Sequence, residues 1–323
     1  MKVVIRPQSE FNPEAPEVGF YDLSEAVYRA APGCNWSNMK NIQKTPKTYR
    51  HGKDNPQDDT PALKFGRMFH TVVLEEELVE KRYTPFPETY PAKGKKKDDP
   101  PEDKKWNMNA TFCKDWVKDI QAKGVECVKQ SDINYAKAMR RELWLLEDAR
   151  AILGNADGYE VSMFWIDEDT GIHCKAKIDI MKDGAIGDLK KVASQSGRGS
   201  GSWEAFCGVV RNYKYHGQAA FYRDGYDTVC KALGYALPET SFFRWLIVED
   251  SPPYDTAIYT IYDHTDALSY EWFRGGRELY KYYLWQIQLC EEHDRWPSYN
   301  LGPGGCTEDM ELTPPDWLTL EIK

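Results

Sequence analysis

Residues 159–191 limit the fold of this chain most, because three strand-like runs follow one another there with only tight connections between them. The middle run, 172–181 (IHCKAKIDIM), alternates strictly. Ile172, Cys174, Ala176, Ile178 and Ile180 share one side, and His173, Lys175, Lys177, Asp179 and Met181 the other. Residues 159–166 (YEVSMFWI) precede it across an Asp-Glu-Asp-Thr-Gly turn. Residues 185–191 (AIGDLKK) follow it across Lys182-Asp183-Gly184, a hairpin signal. The pattern predicts a three-stranded antiparallel meander.

The meander brings acids together. Counting outward from a two-residue turn at Asp183-Gly184, Asp179 falls opposite Asp188. Opposed residues have Cβ atoms about 4.5–5.5 Å apart, and like charges there repel. Such a pair needs a cation, a shared proton or a basic neighbour, and a divalent metal answers the need best. Lys190 lies two residues past Asp188 and so projects from the same face, within reach of a phosphate oxygen. Two acids, a metal and an amine on one face suit phosphodiester hydrolysis, in which cations offset the growing charge. The competing reading is an ordinary exposed strand face bearing Asp-x-Lys.

The rest of the chain predicts a mixed α/β fold. Residues 1–35 read as irregular. Ser37 is placed to cap a short helix that stops before Pro46, and 52–60 reads as a loop. Thr60 and Pro61 open a helix running to about Arg82. An exposed loop rich in Pro, Lys and Asp follows over 83–103. Helices are expected over 104–123, 132–153 and 204–233, a Gly/Ser-rich loop over 194–202, and strands over 241–249 and 256–262. Thr265 is placed to cap a last helix reaching Glu292. The expected organisation is a helical part over 1–153, a core over 154–299 and a tail over 300–323, integrated as one domain.

Composition removes several function classes. A net charge of −9 excludes a uniformly basic nucleic-acid coat, though not a local basic surface. Lys40, Lys44, Lys47, Arg50 and Lys53 form one such stretch with no acid among them. Lys93, Lys95, Lys96 and Lys97 form another, read as a solvated loop. The eight cysteines never form C-x-x-C, which argues against a zinc ribbon, an iron–sulfur cluster or a disulfide framework. No apolar run approaches the roughly 20 residues that span a bilayer, and the N-terminus lacks a signal-peptide core, so an intracellular protein with no membrane partner is expected. G-x-x-x-x-G-K-[ST], H-E-x-x-H and G-x-S-x-G are all absent, so no nucleotide cofactor is expected.

Asp179 followed by Asp188-x-Lys190 on consecutive strands resembles the PD-(D/E)XK nuclease signature. Other stretches resemble one branch, the exonuclease VIII (RecE) C-terminal nuclease family, related to RecB-type and phage lambda-type exonucleases. They are Trp36-Ser37-Asn38-Met39-Lys40 with Thr45-Pro46 and Tyr49; Phe65-Gly66-Arg67-Met68-Phe69-His70-Thr71 with Leu74-Glu75; and Glu160 with Trp165, Thr170-Gly171, Cys174-Lys175 and Asp179. Gln218-Ala219-Ala220-Phe221-Tyr222 and Trp296-Pro297-Ser298-Tyr299 complete the set. Two departures, Lys191 where Thr is usual and Lys177 where Arg is common, touch no expected metal ligand.

The resemblance implies a PD-(D/E)XK restriction-endonuclease-like core, a mixed sheet flanked by helices, with a helical N-terminal elaboration. Asp179, Asp188, the carbonyl of Leu189 and His70 would be metal ligands, and Lys190 the catalytic amine. Glu160 would bind a second metal or orient water, while Gln218 and Tyr222 would contact the DNA backbone and the lysine. Lys40, Lys44 and Lys47 (at i, i+4 and i+7), with Arg50 and Arg67, would line a duplex channel; a plain solvated helix face competes with this reading. Mg²⁺ is the implied cofactor, with Mn²⁺ able to substitute. The implied activity is 5′ to 3′ digestion of one strand of linear double-stranded DNA for recombination. Implied partners are DNA ends, further copies of the chain in a ring and a single-strand annealing protein, in the cytoplasm of a bacterial or phage-infected cell. The alternatives are a structure- or site-specific endonuclease on the same core, and a non-catalytic DNA-binding module.

Overall fold

A computed structural model of the chain describes residues 3–56, 59–92, 102–193, 201–239 and 241–299. Its strands are β1 (Ile5–Pro7), β2 (Gly19–Asp22), β3 (Tyr83–Pro85), β4 (Thr89–Ala92), β5 (Glu102–Lys105), β6 (Glu126–Val128), β7 (Gly158–Ile166), β8 (His173–Lys182), β9 (Ala185–Val192), β10 (Phe242–Glu249) and β11 (Thr256–Tyr262). Its helices are α1 (Glu25–Ala30), α2 (Trp36–Met39), α3 (Pro46–Asp54), α4 (Pro61–Leu74), α5 (Val79–Arg82), α6 (Thr111–Ala122), α7 (Gln130–Leu145), α8 (Glu147–Leu153), α9 (Trp203–Tyr213), α10 (Tyr215–Leu233) and α11 (Tyr270–Glu292).

A seven-stranded mixed sheet in the order β1-β2-β7-β8-β9-β10-β11 divides two apolar cores. Helices α10 and α11 cover one face through Ala219, Ala220, Phe221, Phe273, Leu284 and Ile287. Helices α4, α7 and α8 cover the other through Met68, Val72, Ala136, Met139, Leu143 and Leu153. Strand β10 shows why both layers form. Phe243, Trp245 and Ile247 enter the first core, Leu246 and Val248 the second, so the middle of the strand, 245–248, is a continuous apolar run, as expected of a strand covered on both sides. The pairing of β9 with β10 is parallel, which requires a crossover, and α9 and α10 supply it. Among the described residues no helix is long and apolar enough to cross a membrane.

The meander forms as its spacing predicts, with Ile180↔Gly187, Met181↔Ile186 and Lys182↔Ala185 flanking the Asp183-Gly184 turn. Its strict alternation fails at one level. Ile178 enters the first core but Ile180 the second; Val161 enters the first, while Tyr159 packs on the second. The change of side occurs at Glu160 and Asp179 on neighbouring strands.

Other expectations are corrected. Residues 1–35 are not irregular, since β1 and β2 extend the main sheet and α1 follows. Asn35, not Ser37, caps α2, accepting from the Asn38 N–H at 2.9 Å. Thr45 caps a new helix, α3, with Pro46 in its first turn, so the expected 52–60 loop begins only after Asp54. Lys40 and Lys44 therefore lie before this break and Lys47 after it, not on one helical stripe.

Thr60 does cap α4, but that helix stops at Leu74, and a 3-10 turn separates it from α5. The 83–103 loop gives way to β3, paired with β6, and to a β4–β5 hairpin. Helix α6 starts late because an Asx turn at Asn107 precedes it, with the Asn109 N–H on Asn107 Oδ1 at 2.9 Å. Extended Leu146 divides α7 from α8, and Lys214 divides α9 from α10. Helix α11 begins at Tyr270, not near Thr265, because Ser269 instead accepts the Tyr262 N–H across the connection from β11. Lys93, Lys95, Lys96, Lys97, Cys306, residues 194–200 and the 300–323 tail lie outside the described residues.

Candidate metal centre

Three carboxylates stand level across three neighbouring strands: Glu160 on β7, Asp179 on β8 and Asp188 on β9. Backbone pairing lapses at this level. Tyr159↔Ile180 and Val161↔Ile178 are paired with no rung between them, and the β8–β9 ladder ends at Ile180↔Gly187. Glu160 takes φ of +50°, a left-handed conformation that costs a residue with a Cβ about 1–3 kcal/mol. Asp179 Oδ2 accepts the Leu189 N–H at 2.8 Å, so a side chain serves a backbone donor where the strands part.

Helix α4 supplies the imidazole. Met68, Phe69, Val72 and Val73 are buried, which sets His70 at the margin of the apolar stripe, over the carboxylates. Its Nδ1 lies 3.0 Å from Glu160 Oε1 and 3.8 Å from Asp179 Oδ2. One donor atom from each of His70, Glu160 and Asp179 falls within 4.8 Å of the others. Two carboxylates and an imidazole fit a hard or borderline divalent cation.

The electrostatics express the same demand for positive charge. Burial opposes the charged imidazole, but Asp179 and the hydrogen-bonded Glu160 outweigh it, lifting the His70 pKa to about 9. Burial lifts Asp179 to about 7, with His70 opposing the rise and Asp188 and Glu160 adding to it. Burial also works on Glu160, yet the hydrogen bond and charge of His70, together with Lys177, hold it below the usual carboxylate range.

Asp188 stands outside that trio and, with Lys190, faces α10. Lys190 Nζ is 2.5 Å from Asp188 Oδ2, and Gln218 Nε2 donates to Asp188 Oδ1 at 2.9 Å. The shared face expected for Asp188 and Lys190 is thus present, but Gln218 meets the acid and not the lysine. Burial would lower the Lys190 pKa, but Asp188, Tyr215 and Asp179 outweigh it and raise the value. Lys190 is therefore a cation near neutrality and no proton acceptor. Tyr222, one turn beyond Gln218, is raised by burial and then by Asp188 and Asp179, and stays a neutral phenol.

The basic residues divide. Burial and the charge of Lys190 lower the Lys40 pKa. Lys44 and Lys47 are exposed. Arg50 pairs with Asp54 at 2.7 Å and lies 5.5 Å from the Trp296 ring centre. Arg67 pairs with Asp59 at 2.8 Å and Glu126 at 3.4 Å.

Sequence reasoning missed four contributors, Lys177, Glu25, Tyr28 and Tyr215. Lys177 Nζ sits 2.8 Å from Glu25 and 3.7 Å from Glu160. The Tyr28 ring lies beneath both Lys175 and Lys177, at 4.9 and 5.4 Å. Tyr215 offers its ring to Lys190 Nζ at 4.9 Å. The available signal was positional, since Lys175, Lys177 and Asp179 occupy one side of a single strand.

Residues 35–307 match a family described as "PDDEXK-like domain of unknown function (DUF3799)". No curated protein matches the sequence. Among solved structures, a "Putative exonuclease" from Eubacterium rectale aligns with a TM-score of 0.54 over 93% of this chain and 98% of that one, at 15% identity. At that identity the likeness concerns the fold, and it agrees with the mixed sheet flanked by helices. The family match spans His70, Glu160, Asp179, Asp188, Lys190 and α10, although Glu25 and Tyr28 precede it. The chain belongs to the PDDEXK-like domain family DUF3799, whose PD-(D/E)XK-type core its sheet and helices reproduce.

Proposed function

We propose that this protein is a divalent-metal-dependent deoxyribonuclease acting on the ends of linear duplex DNA. One observation carries the reading: His70, Glu160 and Asp179 converge within 4.8 Å, next to the cationic Lys190. Those three side chains would hold Mg²⁺ or Mn²⁺. Asp188 and the Leu189 carbonyl would complete the set if Asp188 exchanged its bond to Lys190 for the cation. Lewis acidity is the chemistry such a cation would supply when bound, strengthening water as a nucleophile and offsetting phosphate charge.

The chain's own groups do the rest. Lys190 holds positive charge against the phosphate as charge grows in the transition state. Gln218 fixes the Asp188 carboxylate, and Tyr222 offers a phenol O–H without ionising. Lys177, braced by Glu25, keeps Glu160 charged and oriented. Lys40, Lys44 and Lys47 would contact the DNA backbone without reading sequence, whereas Arg50 and Arg67 would first have to leave their acidic partners.

The E. rectale protein's description and the RecE-like motifs favour exonuclease action from the 5′ end, in recombination. An end-labelled linear duplex tests this, with the label on the 5′ or 3′ end, in Mg²⁺ and in EDTA. Mononucleotide release from the 5′ label, abolished by EDTA, is the expected result. Cutting of covalently closed circles would replace the exonuclease reading with an endonuclease one. Inertness across metals and substrates would leave a binding module.

A further inference from the structure

The junction between α9 and α10 carries an aromatic pair whose outer ring has no role in the proposed chemistry. Tyr213 ends α9 and Tyr215 begins α10. In a continuous helix, residues two apart point away from each other. Here Lys214 adopts φ of +59° and ψ of 37°, the left-handed region, which is unfavourable for a residue with a Cβ. The two rings instead stack, with centroids 5.7 Å apart and planes inclined by 22°. The inner ring, Tyr215, lies under the Lys190 ammonium at 4.9 Å. The outer ring, Tyr213, is 58% exposed. A ladder of π-faces thus runs from the catalytic amine to solvent. Arg211 is exposed on the preceding turn and, among the described residues, makes no ion pair.

We propose that Tyr213 and Tyr215 form a stacking platform for an unpaired nucleobase of the strand whose phosphodiester meets Lys190. This rests on the nuclease reading and adds a substrate preference to it. Stacking on an aromatic side chain tolerates any base, because every base has a π-face. Inside a duplex both faces of a base are covered by its neighbours, and a blunt end offers one face only as part of a whole base pair, so the occupant proposed is a base at a frayed or single-stranded end. Arg211 and Lys214 are placed to accompany its phosphates. The platform would hold the strand open beside the cutting site and favour DNA with unpaired ends over blunt duplex.

The test uses the full chain in EDTA, so that no metal and no turnover is involved. The probe is a duplex with a short single-stranded end carrying 2-aminopurine, whose fluorescence is quenched by stacking. Quenching on binding is expected for the wild type and for Tyr213→Phe and Tyr213→Trp. Tyr213→Ala and Tyr213→Leu should lose the quench and bind about tenfold or more weakly, the effect of one lost base stack. Thermal melting of each variant confirms that it folds, and Leu controls for loss of apolar bulk.

Wild-type binding without quenching would overturn the platform, as would Ala and Leu variants that quench like the wild type. Loss with Phe equal to loss with Ala would overturn it too, by assigning the effect to the hydroxyl. Failure of the nuclease reading has a separate signature: the wild type releases no nucleotide in Mg²⁺ or Mn²⁺, whatever the fluorescence shows.

Discussion

His70 Nδ1 and Glu160 Oε1, from residues 90 apart in sequence, meet at 3.0 Å. The contact joins the helical N-terminal part to the sheet at the one level where β7 and β8 fail to pair. It also explains why α4 must start where it does. The Thr60 cap fixes the helix phase, and the phase decides that His70, not Phe69, faces the carboxylates.

His70→Ala should therefore weaken Mn²⁺ binding by more than about tenfold, since even residues that only orient ligands are worth roughly 10–100-fold. Titration calorimetry on the wild type and variant measures this. Equal affinities would remove His70 from the ligand set.

Lys190→Ala should lower turnover by about 10²–10³-fold, the usual effect of removing one group that stabilises transition-state charge. It should not weaken Mn²⁺ binding, because the lysine would compete with a bound cation for Asp188. Lys190→Arg keeps the charge and should retain more activity than Ala. Removing the amine also strands a buried carboxylate, so thermal melting must accompany the kinetics. Metal affinity that falls with turnover would argue that Lys190 shapes the metal site and does not act on the phosphate.

The parts of this site legible in the sequence were those set by local period. Turn chemistry at Asp183-Gly184 gave the register that levels Asp179 with Asp188, and the two-residue spacing put Lys190 beside Asp188. Period could not show the switch of sides at Glu160 and Asp179. That switch depends on a left-handed φ at a residue with no intrinsic preference for it. Glu25 and Tyr28 were equally hidden. They reach the site only because β2, too short to show a pattern, docks on β7 and carries α1 with it. Alternation placed Lys175 and Lys177 on one side of β8 with Asp179 but could not name their partners, and Lys175 donates to the carbonyls of Tyr28 and Arg29 that end α1.

Metal-free protein should lose stability as pH rises. Asp179, raised from its ordinary value to about 7, favours the folded state while it keeps its proton. That contribution is complete below pH of about 4 and is lost as the pH passes 7. His70, raised to about 9, contributes fully below about 6.5 and loses its contribution through 9. The melting temperature in EDTA should thus fall between pH 5 and 9. Mn²⁺, replacing the departing protons, should restore more stability at pH 8 than at pH 6. A thermal-shift series at fixed ionic strength measures both. A stabilisation by Mn²⁺ that is independent of pH would show that these two groups do not bind it.

Adjacent glycines in α11 give the last prediction, because they differ in surroundings and not in helix position. A Cβ on Gly276 would overlap the carbonyl group of His216 on α10, a backbone group that cannot turn aside. A Cβ on Gly275 would meet nothing within 4 Å. The close approach at Gly276 holds the start of α10, and with it Tyr215 and Gln218, against the rest of the fold. Gly276→Ala should lower stability by about 1–3 kcal/mol, as overpacking does, and should also reduce activity by shifting Gln218 from Asp188. Gly275→Ala should raise stability by about 0.5–1 kcal/mol, the helix preference of Ala over Gly, and leave activity intact. Urea unfolding, with the midpoint shifting at constant slope, reads both changes. If the two variants moved together, the α10–α11 contact would not be what positions the site.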